Sequence, residues 1–282
     1  MMRPCVKSLC VFLCGFFILA LFTGFADESD KPAFDYDDYQ SALTNYVTDQ
    51  GLVDYAGLKK DAGKLDLFLN MIAALDPAQY QAWPEPERIA FLINAYNAYT
   101  LKAIIDHYPI QSSFWGRLRF PANSIRQISG AWDKLQWGLM GKQVTLDGIE
   151  HGMLRKEFNE PRIHFAVNCA SQGCPVLLNE AYVGRRLDEQ LDVQVKRFVA
   201  RPADFQLDQT NGSVKLSMIL NWYASDFLQF ADKMKPFSYL DDEQRGMMNF
   251  ILPYLNEDQQ TYLANNQVTV SFLEYDWSLN EQ

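Results

Sequence analysis

The stretch PERIAFLINAYNAYTLKAIIDH, residues 86–107, decides how this chain folds. Ile89, Ala90, Ile93, Tyr96, Asn97, Thr100, Leu101 and Ile104 recur with the 3.6-residue period of an α-helix. Pro86 suits a first helical turn, where a missing N–H costs nothing, and Tyr108-Pro109 closes the run. So long and apolar a segment predicts the main buried helix of a globular core. Asn94 and Asn97 lie three residues apart on it and face nearly the same way. A buried amide is costly unless its donors and acceptors are paired. Either both asparagines pin a neighbouring loop, or one of them, Asn97, orients a catalytic group.

Working outward, Tyr39, Leu43, Tyr46 and Val47 predict a helix from Tyr36 that Gly51 ends. A short extended piece, residues 52–55, leads to a helix over 65–75 stopped by Asp76-Pro77. Residues 110–135 read as irregular, anchored by Phe114, Trp115, Phe120 and Trp132. Residues 135–144 read as a hairpin turning at Met140-Gly141-Lys142, and Thr145 or Asp147 caps a helix to about Phe158. Ile163 to Val167 is short, apolar and β-branched, the pattern of a buried strand. An amphipathic helix follows over 180–199, then an extended 214–216 running into a helix over 217–230. A helix capped by Asp241 reaches about Leu255, and 268–273 form a last strand. Helices outnumber strands and interleave with them irregularly, which predicts an α+β fold, a helix-rich domain around a small mixed sheet. With no repeat and no low-complexity linker, residues 27–282 are expected to form one domain. Its parts are a helical 27–85, a core 86–200 and a C-terminal 201–282.

Residues 1–26 have the three parts of a secretory signal peptide: basic Arg3 and Lys7, an apolar run from Leu9 to Phe22, and small residues before Asp27. An uncleaved anchor is the runner-up, but the run is short for a span. The mature chain is therefore expected outside the cytoplasm, periplasmic or extracellular, with no stable membrane insertion. Loss of the leader takes the net charge from −10 to −12, which argues against nucleic-acid and membrane-surface binding. The 48% hydrophobic content argues for a well-filled core rather than disorder. Substrate and oligomeric state are not written in the sequence.

Of the five cysteines, three lie in the leader, and the other two stand in HFAVNCASQGCP, residues 164–175. Outside the cytoplasm, neighbouring thiols tend towards a disulfide. Cys169 follows the expected strand on a small-residue loop whose amides could lower a thiol pKa or hold an oxyanion. Strand alternation would put His164, Ala166 and Asn168 on one face. On the preceding helix, Asp147, His151 and Arg155 are spaced i, i+4, i+8, so Asp147 could orient His151 as a base while Glu150 reaches the same pocket. Such a stripe is also what a solvated salt-bridge ladder looks like, and His164 is as readily a hydrogen-bonded core histidine.

Four motifs, FLINAYNAYT (91–100), LDGIEHGMLR (146–155), RIHFAVNC through Cys174-Pro175 (162–175) and YDWSLN (275–280), resemble the Domain of Unknown Function 547 family of exported bacterial proteins. The resemblance brings no activity. It implies that Asn94, Asn97, Glu150, His151, Arg155, His164, Cys169 and Cys174 belong to a recurrent pattern richer in chemistry than packing needs. A distant similarity to papain-like or transglutaminase-like thiol enzymes is compatible with it, although the histidine here precedes the cysteine.

Three readings follow. In the first, Cys169 or Cys174 is the nucleophile of a hydrolase or acyltransferase acting on an amide, peptide or thioester, with His151 as base. Cys169 is slightly favoured by its place beside the strand. In the second, a Cys169–Cys174 disulfide holds a binding loop in a non-catalytic protein. In the third, His151, His164 and the thiols bind zinc or copper, although their spacing fits no standard zinc module. No cofactor is expected.

Overall fold

The computed structural model describes residues 32–233 and 236–282. The leader expected at 1–26 lies outside them. Helices α1 (Asp37–Tyr46), α2 (Tyr55–Lys60), α3 (Gly63–Ala74) and α4 (Pro77–Gln81) pack around α5 (Glu85–His107). Asp76 both stops α3 and caps α4, its carboxylate accepting the Ala78 N–H. Every residue of α5 from Ile89 to Leu101 is buried, as the periodicity predicts for a central helix.

Residues 110–135 are largely irregular, with a short helix, α6 (Phe114–Arg117), and a 3₁₀ turn (Ile125–Gln127). Two of the expected anchors are not anchors: Phe114 and Trp115 are exposed. The half-buried Phe120 and Trp132 instead pack edge-on against Trp277. The hairpin is present as β1 (Trp137–Leu139) and β2 (Lys142–Val144). Met140 and Gly141, at φ 51 and 72, make its two-residue turn, and glycine meets that requirement without strain.

Thr145 caps the following helix, its hydroxyl accepting the Gly148 N–H at 3.0 Å. That helix is not uniform. It runs through α7 (Leu146–Ile149), a π-helical turn (Glu150–Leu154) and α8 (Arg155–Glu157). The wider turn carries Glu150 and His151, and such turns often mark functional sites.

The strand expected over 163–167 is absent; Pro161–Phe165 form a 3₁₀ helix. Pro161 presets a helical φ, and Glu160 accepts the Arg162 N–H at 3.0 Å. Its side chains therefore do not alternate between two faces. Ile163 and Ala166 join one apolar core, built around α5, while Phe165 joins a second. The segment runs along the seam between the cores.

The second core is closed by α9 (Leu187–Ala200), β3 (Phe205–Asp208), β4 (Ser213–Leu216), α10 (Met218–Trp222), a 3₁₀ helix (Ala224–Phe230), α11 (Asp242–Ile251), α12 (Glu257–Asn265) and β5 (Thr269–Phe272). The sheet order is β3-β4-β5. Phe205 pairs with Leu216 in the antiparallel half, and Leu216 with Phe272 in the parallel half. The fold is α+β, with helices around small mixed and antiparallel sheets. Among the described residues, no helix is long and apolar enough to cross a membrane.

The last residues return to the start. Val53 N–H donates to Asn280 O, and Tyr55 hydroxyl to Asn280 Oδ1. Between these ends, Gln172 N–H donates to Ser278 O and Gly173 N–H to Asp276 O. The closing segment thereby ties the N-terminal helices to the cysteine loop.

Candidate functional site

A cleft of about 410 Å³ opens at the seam between the two cores. Glu150 and His151 enter it from the π-helical turn, His164 from the 3₁₀ helix, and Cys169 and Cys174 from the loop. Trp132, Trp222, Tyr223, Tyr275 and Trp277 give it aromatic walls.

Asn97 fixes the entry to the cysteine loop. Its Nδ2 donates to Ala166 O at 2.9 Å and its Oδ1 accepts the Asn168 N–H at 2.8 Å. Asn94 does the same at Tyr182, at 2.8 and 2.9 Å. Both asparagines thus pin backbone, and Asn97 acts on the site through Asn168. The Asn168 side chain then bridges the loop, bonding Ala170 N–H and Pro175 O. Gly173 is held so closely that a β-carbon there would sit 2.9 Å from Asp276 N.

Cys169 and Cys174 are joined as a disulfide with Cα atoms 6.2 Å apart, well within the usual range. Cys169 Sγ lies 3.1 Å from Ser171 Oγ and 3.1 Å from Tyr275 Oη. The two hydroxyls are 2.8 Å from each other. Five of the loop's amides are not open to an oxyanion as the sequence suggested. Those of Cys169, Ala170, Gln172, Gly173 and Cys174 already donate to Cys174 Sγ, Asn168 Oδ1, Ser278 O, Asp276 O and Ser171 O. The hydroxyls of Ser171 and Tyr275 are the donors nearest the Cys169 sulfur.

The two histidines are held differently from what their spacing suggested. His151 is exposed, its Nε2 is 4.0 Å from Asp147 Oδ1, and its Nδ1 is 3.0 Å from Arg155 Nη1. Arginine only donates, so the Nδ1 lone pair is occupied and Asp147 is too far to orient the ring. Of the expected stripe, His151 and Arg155 are in contact and Asp147 stands off. His164 is buried, with Nε2 2.8 Å from Asp226 Oδ2. The same carboxylate takes both Arg155 Nε and Nη2 at 2.7 Å. Since the carboxylate accepts, Nε2 carries the proton and Nδ1 the lone pair. That Nδ1 is buried and has no hydrogen-bond partner among the described residues. The ring stacks on Tyr223 with centroids 3.8 Å apart, and the Tyr223 hydroxyl donates to buried Glu150.

Burial lowers the His164 pKa, although Asp226 and Glu150 pull it up, so the ring is neutral near pH 7. Burial also opposes ionisation of Asp226, but hydrogen bonds from His164 and Arg155 outweigh it and hold the carboxyl well below the usual range. Asp226, Tyr223, Ser171 and Tyr275 were not found as site residues by spacing. For Asp226 the available signal was the lone charge in an otherwise uncharged stretch, Ala224 to Phe230.

Among the described residues, no group of three or more His, Cys, Asp or Glu is arranged to hold a metal. His164 Nε2 and both sulfurs are engaged with other partners, which leaves the zinc or copper reading without a ligand set.

Fold and site define a helix-rich α+β protein with an aromatic cleft that joins a disulfide to a carboxylate-bound histidine. Residues 80–199 match the family described as Protein of unknown function, DUF547, and this part of the chain is similar to that family. The match takes in Asn97, Glu150, His151, His164 and both loop cysteines, while Asp226, Tyr275 and the YDWSLN motif lie beyond it. No curated protein and no solved structure matches the chain, so nothing supports the distant likeness to papain-like or transglutaminase-like enzymes.

Proposed function

We propose that the cleft is a thiol-dependent acyl-transfer site in an exported protein. It would serve a hydrolase or acyltransferase acting on an amide, peptide or thioester, with the Cys169–Cys174 disulfide as its resting form. One observation carries this reading: His164, oriented by Asp226 and with a vacant Nδ1, shares the cleft with Cys169. A dithiol reductant would supply two electrons and two protons, becoming a disulfide itself and leaving both cysteines as thiols. His164 Nδ1, which touches neither sulfur in the disulfide form, would then take the Cys169 proton as the sulfur attacks the carbonyl carbon. Ser171 and Tyr275 hydroxyls face the developing oxyanion. The imidazolium returns the proton to the leaving amine or thiol, and water or another acceptor releases the acyl group. Cys169 is the better nucleophile because it is half-buried beside those hydroxyls, whereas Cys174 is buried.

The disulfide itself favours a second reading, a non-catalytic protein whose stapled loop binds a ligand or partner. Alkylation of the reduced protein at pH 7 separates the two. Cys169 is expected to react faster than an ordinary thiol of pKa about 8.5, and His164→Asn to slow it about tenfold or more. His151→Ala should leave the rate unchanged. Equal rates in wild type and His164→Asn, or cysteines that mild dithiols do not reduce, would leave only the binding reading.

A further inference from the structure

The net charge of −10 conceals one long interval without acid. No Asp or Glu occurs between His107 and Trp132, although the chain carries 35 of them in 282 residues. Arg117, Arg119 and Arg126 fall in this interval. Arg117 Nε donates to Ser112 Oγ at 2.6 Å, and Arg126 lies over the Phe120, Trp132 and Trp277 rings. Among the described residues, no carboxylate forms an ion pair with any of the three.

The same interval displays the most exposed large apolar side chains described: Phe114 at 71%, Trp115 at 74% and Leu118 at 66%. Leu118 follows Trp115 by three residues and Phe114 by four, so the three sit together at one tip of the turn. The display is held from beneath. Ser113 Oγ accepts the Gly116 N–H at 2.9 Å, and Gln127 Nε2 donates to Phe120 O and Pro121 O at 3.3 and 3.0 Å.

We propose that residues 114–120 dock the protein on an anionic membrane surface. Phe114, Trp115 and Leu118 enter the headgroup boundary, where aromatic rings are favoured, and Arg117 and Arg119 meet lipid phosphates. Charge selects this occupant. The remaining acidic surface is repelled by anionic lipid, so this is the face that can approach it, and each arginine near the surface adds about five-fold to binding. No span is inserted. Because Arg126 joins this segment to Trp132 and Trp277 of the cleft wall, a docked molecule would hold its cleft near the bilayer. Docking stands whether or not the cleft is catalytic.

The test is co-sedimentation of the full chain with vesicles of phosphatidylcholine alone or with about a third phosphatidylglycerol, at low and high salt. Wild type is compared with F114S/W115S/L118S and with R117Q/R119Q, and equal unfolding midpoints show that the variants are folded. The expected result is salt-sensitive binding to anionic vesicles only, at least about tenfold weaker in each variant. Equal binding by all three proteins would place the contact elsewhere, the apolar leader included, and overturn the proposal. So would no binding, binding indifferent to lipid charge, or a dimer that the triple serine variant dissociates, which would make a second copy the occupant.

Discussion

Asp226 satisfies three donors at once, two from Arg155 and one from His164. Replacing it with alanine strands a guanidinium beside a buried imidazole, and the expected loss is about 3 kcal/mol, measurable by urea unfolding. A loss under about 1 kcal/mol would mean that water replaces the carboxylate. The residue types of the site could largely be read from the chain: both cysteines, His164, Glu150 and Arg155 were singled out by their density within a few dozen positions. Which histidine is held by a carboxylate could not be read. His151 looked better placed because Asp147 stands four residues before it, but the two side chains are 4.0 Å apart and Arg155 holds the other ring nitrogen. The acid that holds His164 is 62 residues from it, and no local spacing rule reaches so far.

Among the elements, α5 was the easiest to read and the 3₁₀ helix over Pro161–Phe165 the hardest. A long periodic run over 86–107 fits one structure. A five-residue apolar run fits a strand or a tight helix equally well, and here Pro161 and the Glu160 cap decide for the helix. The asparagines of α5 allow a paired comparison. Asn97→Ala and Asn94→Ala each remove two backbone hydrogen bonds, and each should cost about 2–3 kcal/mol. Only Asn97→Ala releases the backbone just before Cys169, so its disulfide should be reduced more readily by a dithiol than that of wild type. Asn94→Ala should reduce like wild type; if the two variants reduce alike, Asn97 is a packing residue and nothing more.

Across the whole molecule, pH acts through groups lying far apart. Asp204, where α9 gives way to β3, is fully buried, with Arg201 Nε 2.7 Å from its Oδ2. Burial raises its pKa to about 7 against the pull of Arg201. The folded protein therefore keeps a proton that the unfolded chain releases near pH 4. Asp204 contributes stability at acid pH that is lost as pH rises towards 7. His164 and Asp226, with lowered pKa values, do the opposite and contribute above their unfolded values. Asp204→Asn should therefore gain on wild type by about 5 °C in Tm between pH 4 and pH 8; a constant difference would show that Asp204 stays ionised throughout. At this scale the α+β class followed from the balance of elements. Strand β3 and helix α12 did not, because their patterns are short and polar enough to pass as loop. The ties made by the closing segment could not be read either. Those ties set a schedule. Tyr55 and Gln172 meet these partners only once residues 278–280 have been made, so α1 to α5 can pack together before the closing segment is there to tie them down. The thiols of Cys169 and Cys174 emerge about a hundred residues before the segment that buttresses their loop, leaving an interval in synthesis when that loop stands without its support.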